Sequence, residues 1–246
     1  MIAIILAGGY AKRLWPLTLD KPKALLPIAG KSLVNYIVEK LVMLEPPLSE
    51  IILSTNLKFL PQFEEWLRKG SYHNVRIVPE KSRSEKEKLG AVKALADIVD
   101  KIQGEETLVL AGDNLFNDKL DGLVRFFHEK HAPTVALYHS RNLDETRKGS
   151  SVTIDENNVI REFVEKPSNP RSTLVGACLY AFPKDIMRRL REYLTLGQMT
   201  DEPGRFIEWL HLQEPVYGYL LKDYVWDIGT MDSYMAADED FARRSA

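Results

Sequence analysis

The stretch LAGGYAKRLWPLTLDKPKALLPIAGKS (residues 6–32) holds two adjacent glycines, one arginine and four lysines. It leaves an apolar run of strand length, IAIIL (2–6), the pattern of a strand buried on both faces in a parallel sheet. Ligands of open α/β sheets sit beyond the carboxyl ends of the strands, where loops gather and helix N-termini present N–H groups. Gly8 and Gly9 let backbone approach a ligand with no Cβ between, and Arg13, Lys21 and Lys23 offer positive charge to phosphate oxygens. The apolar bulk of Leu14, Trp15 and Pro16 is expected to fix the loop. Any one glycine here could simply turn the chain and any one lysine coat a surface; taken together, they point to a polyphosphate ligand.

Two common phosphate motifs are excluded. GKS at 30–32 resembles the end of a P-loop, but the first glycine of that motif falls at position 25, which is Leu25. A G-x-G-x-x-G fingerprint must open a helix, and Pro16, Pro22 and Pro27 would break one.

Outward from this loop, apolar runs at 50–55, 75–79, 107–113 and 134–139 alternate with period-3.6 segments at 33–44, 59–68, 89–102 and 120–131. That alternation predicts a right-handed, doubly wound α/β fold with a mostly parallel sheet. After about residue 145, SSVTIDENNVIREFVEKP reads as strand, turn, strand, and STLVGACLYAF as a further strand, together a small antiparallel layer. Helices are expected at 184–194, 204–211 and 233–243. With no Gly/Ser-rich linker, one compact domain over 1–246 is expected, with parts at about 1–145 and about 146–246, the second forming a lid or second wall and including the C-terminal helix.

The chain of 246 residues is 45% hydrophobic and 28% charged, enough for a full core, and its net charge of -2 gives no general attraction to nucleic acid or to an anionic membrane. The single cysteine, Cys178, forms no internal disulfide and reads as a core residue. No secretory signal or membrane-length apolar run is visible, so a soluble, cytoplasmic protein is expected.

Two acids lie far apart in sequence, Asp113 in LAGDNLF and Asp227 in YVWDIGT. Each alone reads as a turn former or helix cap. Both together suit Mg²⁺, which takes one or two carboxylates and completes its shell with phosphate and water. Glu165 and Lys166 in FVEKP read by themselves as an exposed ion pair. His128 and His131 are three apart on a helix with no third ligand, and read as surface residues. No Ser, His and Asp set or reactive-cysteine context suggests covalent chemistry.

The segment LAGGYAKRLWPLT…DKPKALLPIAGKSLV resembles the L-A-G-G-x-G-T-R-L-x-P-L-T…K-P-K-x-L-L-P signature of the sugar-1-phosphate nucleotidylyltransferases, with Ala11 in place of the third glycine and Lys12 in place of the threonine. GDN at 112–114, EKP at 165–167 and WDIGT at 226–230 match further motifs of that family. The resemblance, from about residue 4 to 230, implies a Rossmann-like nucleotidyltransferase fold and transfer of a nucleotidyl group from an NTP to a sugar 1-phosphate, releasing pyrophosphate. It implies that Leu6, Ala7, Gly8, Gly9, Arg13, Lys23, Glu80, Gly90 and Asp113 bind the nucleotide. Asn114, Gly149, Glu165, Lys166, Gly176 and Tyr180 would line the sugar-phosphate site, with Thr200 and Asp201 near it. Mg²⁺ would sit on Asp113 and Asp227, and chemistry would fall to Arg13, Lys23, Asp113, Lys166 and Asp227.

The lean is to dTTP or UTP with glucose 1-phosphate. A mannose-1-phosphate guanylyltransferase, a cytidylyltransferase for a non-sugar phosphate and a non-catalytic nucleotide-sugar sensor stay open. Glu80 either reads the base or faces solvent in a charge run; as an acceptor it would suit the donors on guanine's edge. The β-helix domain of many relatives is not expected here, and a homo-oligomer is expected by family analogy only.

Overall fold

The computed structural model describes residues 1–102 and 104–245. Its strands are β1 (Ile2–Leu6), β2 (Pro27–Ile28), β3 (Lys31–Ser32), β4 (Glu50–Asn56), β5 (Val75–Glu80), β6 (Thr107–Ala111), β7 (Asn114–Leu115), β8 (Thr134–His139), β9 (Ser150–Ile154), β10 (Ile160–Glu165), β11 (Leu174–Phe182), β12 (Tyr217–Leu220) and β13 (Trp226–Asp227). The helices are α1 (Leu33–Val42), α2 (Leu60–Lys69), α3 (Ala91–Val99), α4 (Asp121–Lys130), α5 (Leu143–Thr146), α6 (Ile186–Thr195), α7 (Pro203–Leu210) and α8 (Met231–Ser245). Seven strands form one sheet in the order β12-β8-β11-β6-β1-β4-β5. Pairing is parallel in β1–β4, β4–β5 and β8–β12, and antiparallel in β8–β11. The continuous apolar runs follow from burial on both faces: Ala3 to Ile5, Ile51 to Leu53 and Leu108 to Leu110 are all buried.

Two expectations change. The strand at Leu174–Phe182 joins the main sheet beside β8 instead of the small antiparallel layer, which is reduced to the β9–β10 hairpin. Its near-continuous burial needs cover on both faces, which a two-sided central strand has and a surface layer lacks. The helix expected over 89–102 starts at Ala91 and ends in a 3-10 turn, Asp100–Ile102, because Gly90 is held at φ 84, outside helical space. The last helix begins two residues early, at Met231, where the Thr230 hydroxyl accepts the Ser233 N–H at 3.2 Å as a cap.

Contacts group the described chain into two compact units: Met1–Leu89 with Leu110–Phe116 and Val225–Ala246, and Gly90–Val109 with Asn117–Tyr224. The C-terminal helix, expected with the second part, groups with the first. In the first unit the strands β1, β4 and β5 carry α2 against β5, while α8 packs on β2 and β13. The second unit holds β8, β9, β10, β11 and β12, and its helices α3, α6 and α7 pack on one another. Their core is aromatic: Phe206 lies edge-on to Phe182 (6.0 Å between centroids) and Tyr193 (5.5 Å) and stacks on Trp209 (6.1 Å). Among the described residues no helix is long and apolar enough to cross a membrane.

Phe206 is fully buried among these rings. Phe206→Ala is expected to destabilise the second unit by about 3–5 kcal/mol, read as a lowered midpoint in urea denaturation.

Candidate functional site

The first loop is pinned from below. Beyond β1, the Ala7 N–H donates to the Ser54 carbonyl and the Gly112 N–H to the Leu6 carbonyl, both at 2.8 Å. The Asn56 side chain, fully buried, donates to the Gly8 carbonyl at 3.0 Å and accepts the Phe59 N–H at 3.0 Å. Ala11 adopts a left-handed conformation (φ 46, ψ 46), and the buried Thr18 hydroxyl holds its carbonyl at 2.7 Å. Leu14 is buried as expected, but Trp15 is 49% exposed and does not anchor the loop. Its place is taken by polar contacts from Thr18 and Asn56, which come from outside the quoted apolar triplet. Lys31, of the GKS sequence, turns away to Glu39 and over the Tyr36 ring, so it has no P-loop role.

Lys23 starts a 3-10 turn, Lys23–Leu25, and forms an ion pair with Asp113, 90 residues on. The two side chains are 16% and 28% exposed. They border a small cavity of about 70 Å³, walled also by Leu6, Ala7, Gly9 and Gly112. Gly112 is needed here, since a Cβ on it would lie 3.0 Å from the Ala7 Cβ and 3.1 Å from the Leu6 carbonyl oxygen. Lys21, grouped with these cations on sequence, is exposed.

Asp113 follows β6 in the turn to β7, and β7 pairs antiparallel with β13 so that Asn114 faces Asp227. The Ile228 N–H donates to the Asp113 carbonyl at 3.1 Å. The two acids, 114 residues apart in sequence, are therefore neighbours across a two-residue ladder. Arg13 completes the cluster: a methyl built on Gly229 would lie 3.2 Å from Arg13 Nη2 and 3.6 Å from Asp227 Oδ2. Among the described residues no third His, Cys, Asp or Glu joins these acids in a metal-holding group. Two hard carboxylates fit Mg²⁺, which takes one or two of them, and fit zinc poorly.

Glu80, at the end of β5, accepts the Ser54 hydroxyl at 2.9 Å, and its carboxylate lies directly over Gly8, where any Cβ would collide with it. It is thus part of the loop's wall and not of the solvated charge run that follows.

In the second unit, Glu165 ends β10 and Lys166 stands at φ 50, its N–H donating to the Gly149 carbonyl at 2.6 Å. The Gly176 N–H donates to the Ser150 hydroxyl at 2.8 Å, and a Cβ there would meet the Phe163 ring at 2.9 Å. Gly149, Glu165, Lys166 and Gly176 are therefore held together by β9, β10 and β11. The Glu165 carboxylate lies on Gly204 at the start of α7, too close for a Cβ. Burial first, then the nearby Glu202 carboxylate, raises its pKa to about 7. Lys166 is ion-paired with Glu202, which lies 3.4 Å from Arg205 as well. Tyr180 is buried beside Phe182, its hydroxyl bonded to Cys178, and burial drives its pKa well above the ordinary value. Gly90 meets Thr200: a Cβ would lie 2.6 Å from the Thr200 carbonyl carbon, and the Thr200 oxygen accepts the Val92 N–H at 2.8 Å. His128 pairs with Glu106 at 3.1 Å on the surface, as read from sequence.

Sequence reading passed over Asn56, Ser54, Glu202 and Arg205. Asn56 carried a signal, a polar residue closing an apolar strand run; the other three depend on folding for their neighbours.

The model of the nucleotidyl transferase family matches residues 2–244. The chain belongs to that family. It is 33% identical over 230 residues to the bifunctional protein GlmU of Methanocaldococcus jannaschii, 93% of this chain and 51% of that protein. It is 32% identical over 183 residues to the UTP–glucose-1-phosphate uridylyltransferase AglF of Haloferax volcanii, 74% of this chain and 72% of that protein. The chain thus spans about half the length of GlmU. A solved UDP-glucose pyrophosphorylase with bound UDP-glucose superposes with a TM-score of 0.82 at 20% identity, covering 99% of this chain and 98% of that one. That likeness shows a shared fold.

The raised pKa of Glu165 has a stability consequence. Between its ordinary 4.5 and about 7 the unfolded chain ionises Glu165 while the folded one keeps its proton, so folding stability falls as pH rises through that window and levels off above it. In Glu165→Gln this component disappears. Thermal melts from pH 4 to 8 are expected to show the parent losing stability relative to the variant between those two values.

Proposed function

We propose that the chain is a sugar-1-phosphate nucleotidylyltransferase, joining an NTP and a sugar 1-phosphate to give an NDP-sugar and pyrophosphate. The single observation that supports this best is the convergence of Arg13, Lys23, Asp113 and Asp227 beside the glycine loop at the carboxyl ends of β1 and β6. The reaction needs no protein nucleophile, because the sugar phosphate oxygen is already anionic and attacks the α-phosphorus opposite the departing pyrophosphate. Catalysis is then positioning and charge neutralisation.

Arg13 and Lys23 bind the triphosphate, Lys23 near the α-phosphate, with the Leu6 to Gly9 backbone lying along it. Mg²⁺ held by Asp113 and Asp227 supplies neutralisation of phosphate oxygens when bound. Lys166 anchors the sugar phosphate and Glu165 accepts a sugar hydroxyl, with Gly149 and Gly176 of the same unit lining that substrate's site. UTP or dTTP with glucose 1-phosphate is the favoured pair, in keeping with what the name of AglF states for that relative. The lone cysteine suits a reducing cytoplasm.

One observation favours a second reading of the base. The Glu80 carboxylate, fixed against Gly8 by Ser54, presents only acceptors, and guanine's edge presents two donors. GTP with mannose 1-phosphate is therefore the rival pair.

A matrix of five NTPs against a panel of sugar 1-phosphates, read by pyrophosphate release with Mg²⁺ present, is expected to give turnover with UTP or dTTP and glucose 1-phosphate. Turnover confined to GTP selects the rival; none with any pair rejects the proposed enzyme. With the active pair, Arg13→Ala and Asp113→Asn are each expected to lower kcat by about 10²- to 10³-fold at saturating substrate. Parent-like turnover in either would remove that residue from the mechanism.

A further inference from the structure

Lys23 and Asp113, the one suited to a phosphate and the other to a metal ion, neutralise each other as an ion pair. An ammonium resting on the Asp113 Oδ2 takes up one of the two oxygens that Asp113 could offer a divalent ion. Conversely, a carboxylate resting on Lys23 withholds the charge that a phosphate needs. We propose that Lys23 is a surrogate cation for the metal: it closes Asp113 in the metal-free protein, and a divalent ion entering at Asp113 and Asp227 displaces it. The displaced ammonium is thereby released to the triphosphate. It rests on the reading of those two aspartates as the metal holders.

Three features support displacement over coexistence. The pair is partly buried, so its attraction is screened less than that of a surface bridge. Arg13 already places one positive group beside Asp227, and a divalent ion with Lys23 still in place would gather four positive charges around two carboxylates. Lysine carries its charge on four rotatable methylenes, and the cavity between Lys23, Gly9 and Ala11 gives the displaced group somewhere to go. Metal and triphosphate then bind with positive coupling, because each removes one partner of the pair that opposes the other. Linkage makes that coupling reciprocal.

The test uses Mn²⁺ alone, with no nucleotide, followed by electron paramagnetic resonance of the free ion. Lys23→Met is expected to bind Mn²⁺ about five- to tenfold more tightly than the parent, the scale of one removed ion pair, and Asp113→Asn to lose binding. Unchanged or weaker affinity in Lys23→Met, with Asp113→Asn still defective, overturns the surrogate role and leaves the metal site standing. No Mn²⁺ binding by parent or Lys23→Met overturns both. A second measurement on the parent needs no variant: acylation of Lys23, followed by mass spectrometry, is expected to quicken on adding Mg²⁺ as the ammonium leaves its carboxylate. Unchanged reactivity in the presence of bound metal overturns the inference.

Discussion

The ion pair between Lys23 and Asp113 is the interaction on which the first unit's site depends. A loop rich in lysine and arginine would repel itself if every charge pointed to one place. The Asp113 carboxylate offsets one of those charges and draws the Lys23 turn onto the turn after β6. The second unit repeats the device: Lys166, on a strained turn, pairs with Glu202. In each unit the lysine proposed to meet a phosphate is held by a carboxylate from a distant stretch of chain. An ion pair of this kind lowers the net charge around each lysine and makes a competing anion displace an internal partner.

The two acids proposed to share a metal differ in kind from Glu165. Asp113 is positioned by backbone: β6 stops at Ala111, the chain turns, and a two-residue ladder sets Asn114 opposite Asp227. Glu165 is positioned by packing, pressed on Gly204 and beside another carboxylate, and so keeps its proton up to about pH 7. A neutral carboxyl donates as well as accepts a hydrogen bond, so the environment and not the residue type decides what Glu165 can offer to a hydroxyl.

What was legible in the sequence follows from how local each signal is. The alternation of apolar runs and helical periods placed five of the seven strands of the main sheet, β1, β4, β5, β6 and β8, and the glycine, acid and EKP motifs named residues that do cluster within their units. β12 was missed because YGYL is four residues with a glycine, too short for a period. β11 was assigned to the wrong layer because its burial on two faces cannot be told from burial on one over nine residues that are all apolar or small. Trp15 looked like an anchor because large apolar side chains usually are; it is half exposed, and of the triplet's first two residues Leu14 is the buried one. Glu202 was illegible for a different reason: its importance is a matter of which ammonium lies opposite, and that is decided by a pairing 36 residues away in sequence.

Ala11 shows what kind of rigidity the loop needs. A left-handed alanine costs roughly 1–2 kcal/mol over a right-handed one, a cost glycine would avoid. The glycine would also enlarge the freedom of the unfolded loop, so the substitution exchanges strain for a smaller entropy loss on folding. Thr18 on the Ala11 carbonyl, Leu14 in the core and Asn56 on the Gly8 carbonyl over-determine the backbone and keep the strained residue in place. The backbone of this loop is therefore fixed before any ligand arrives, and the parts left to move are its long cationic side chains. A fixed cradle with movable charge suits a ligand whose charge is redistributed during reaction: the N–H groups hold position while a lysine can follow the phosphate from ground state to transition state.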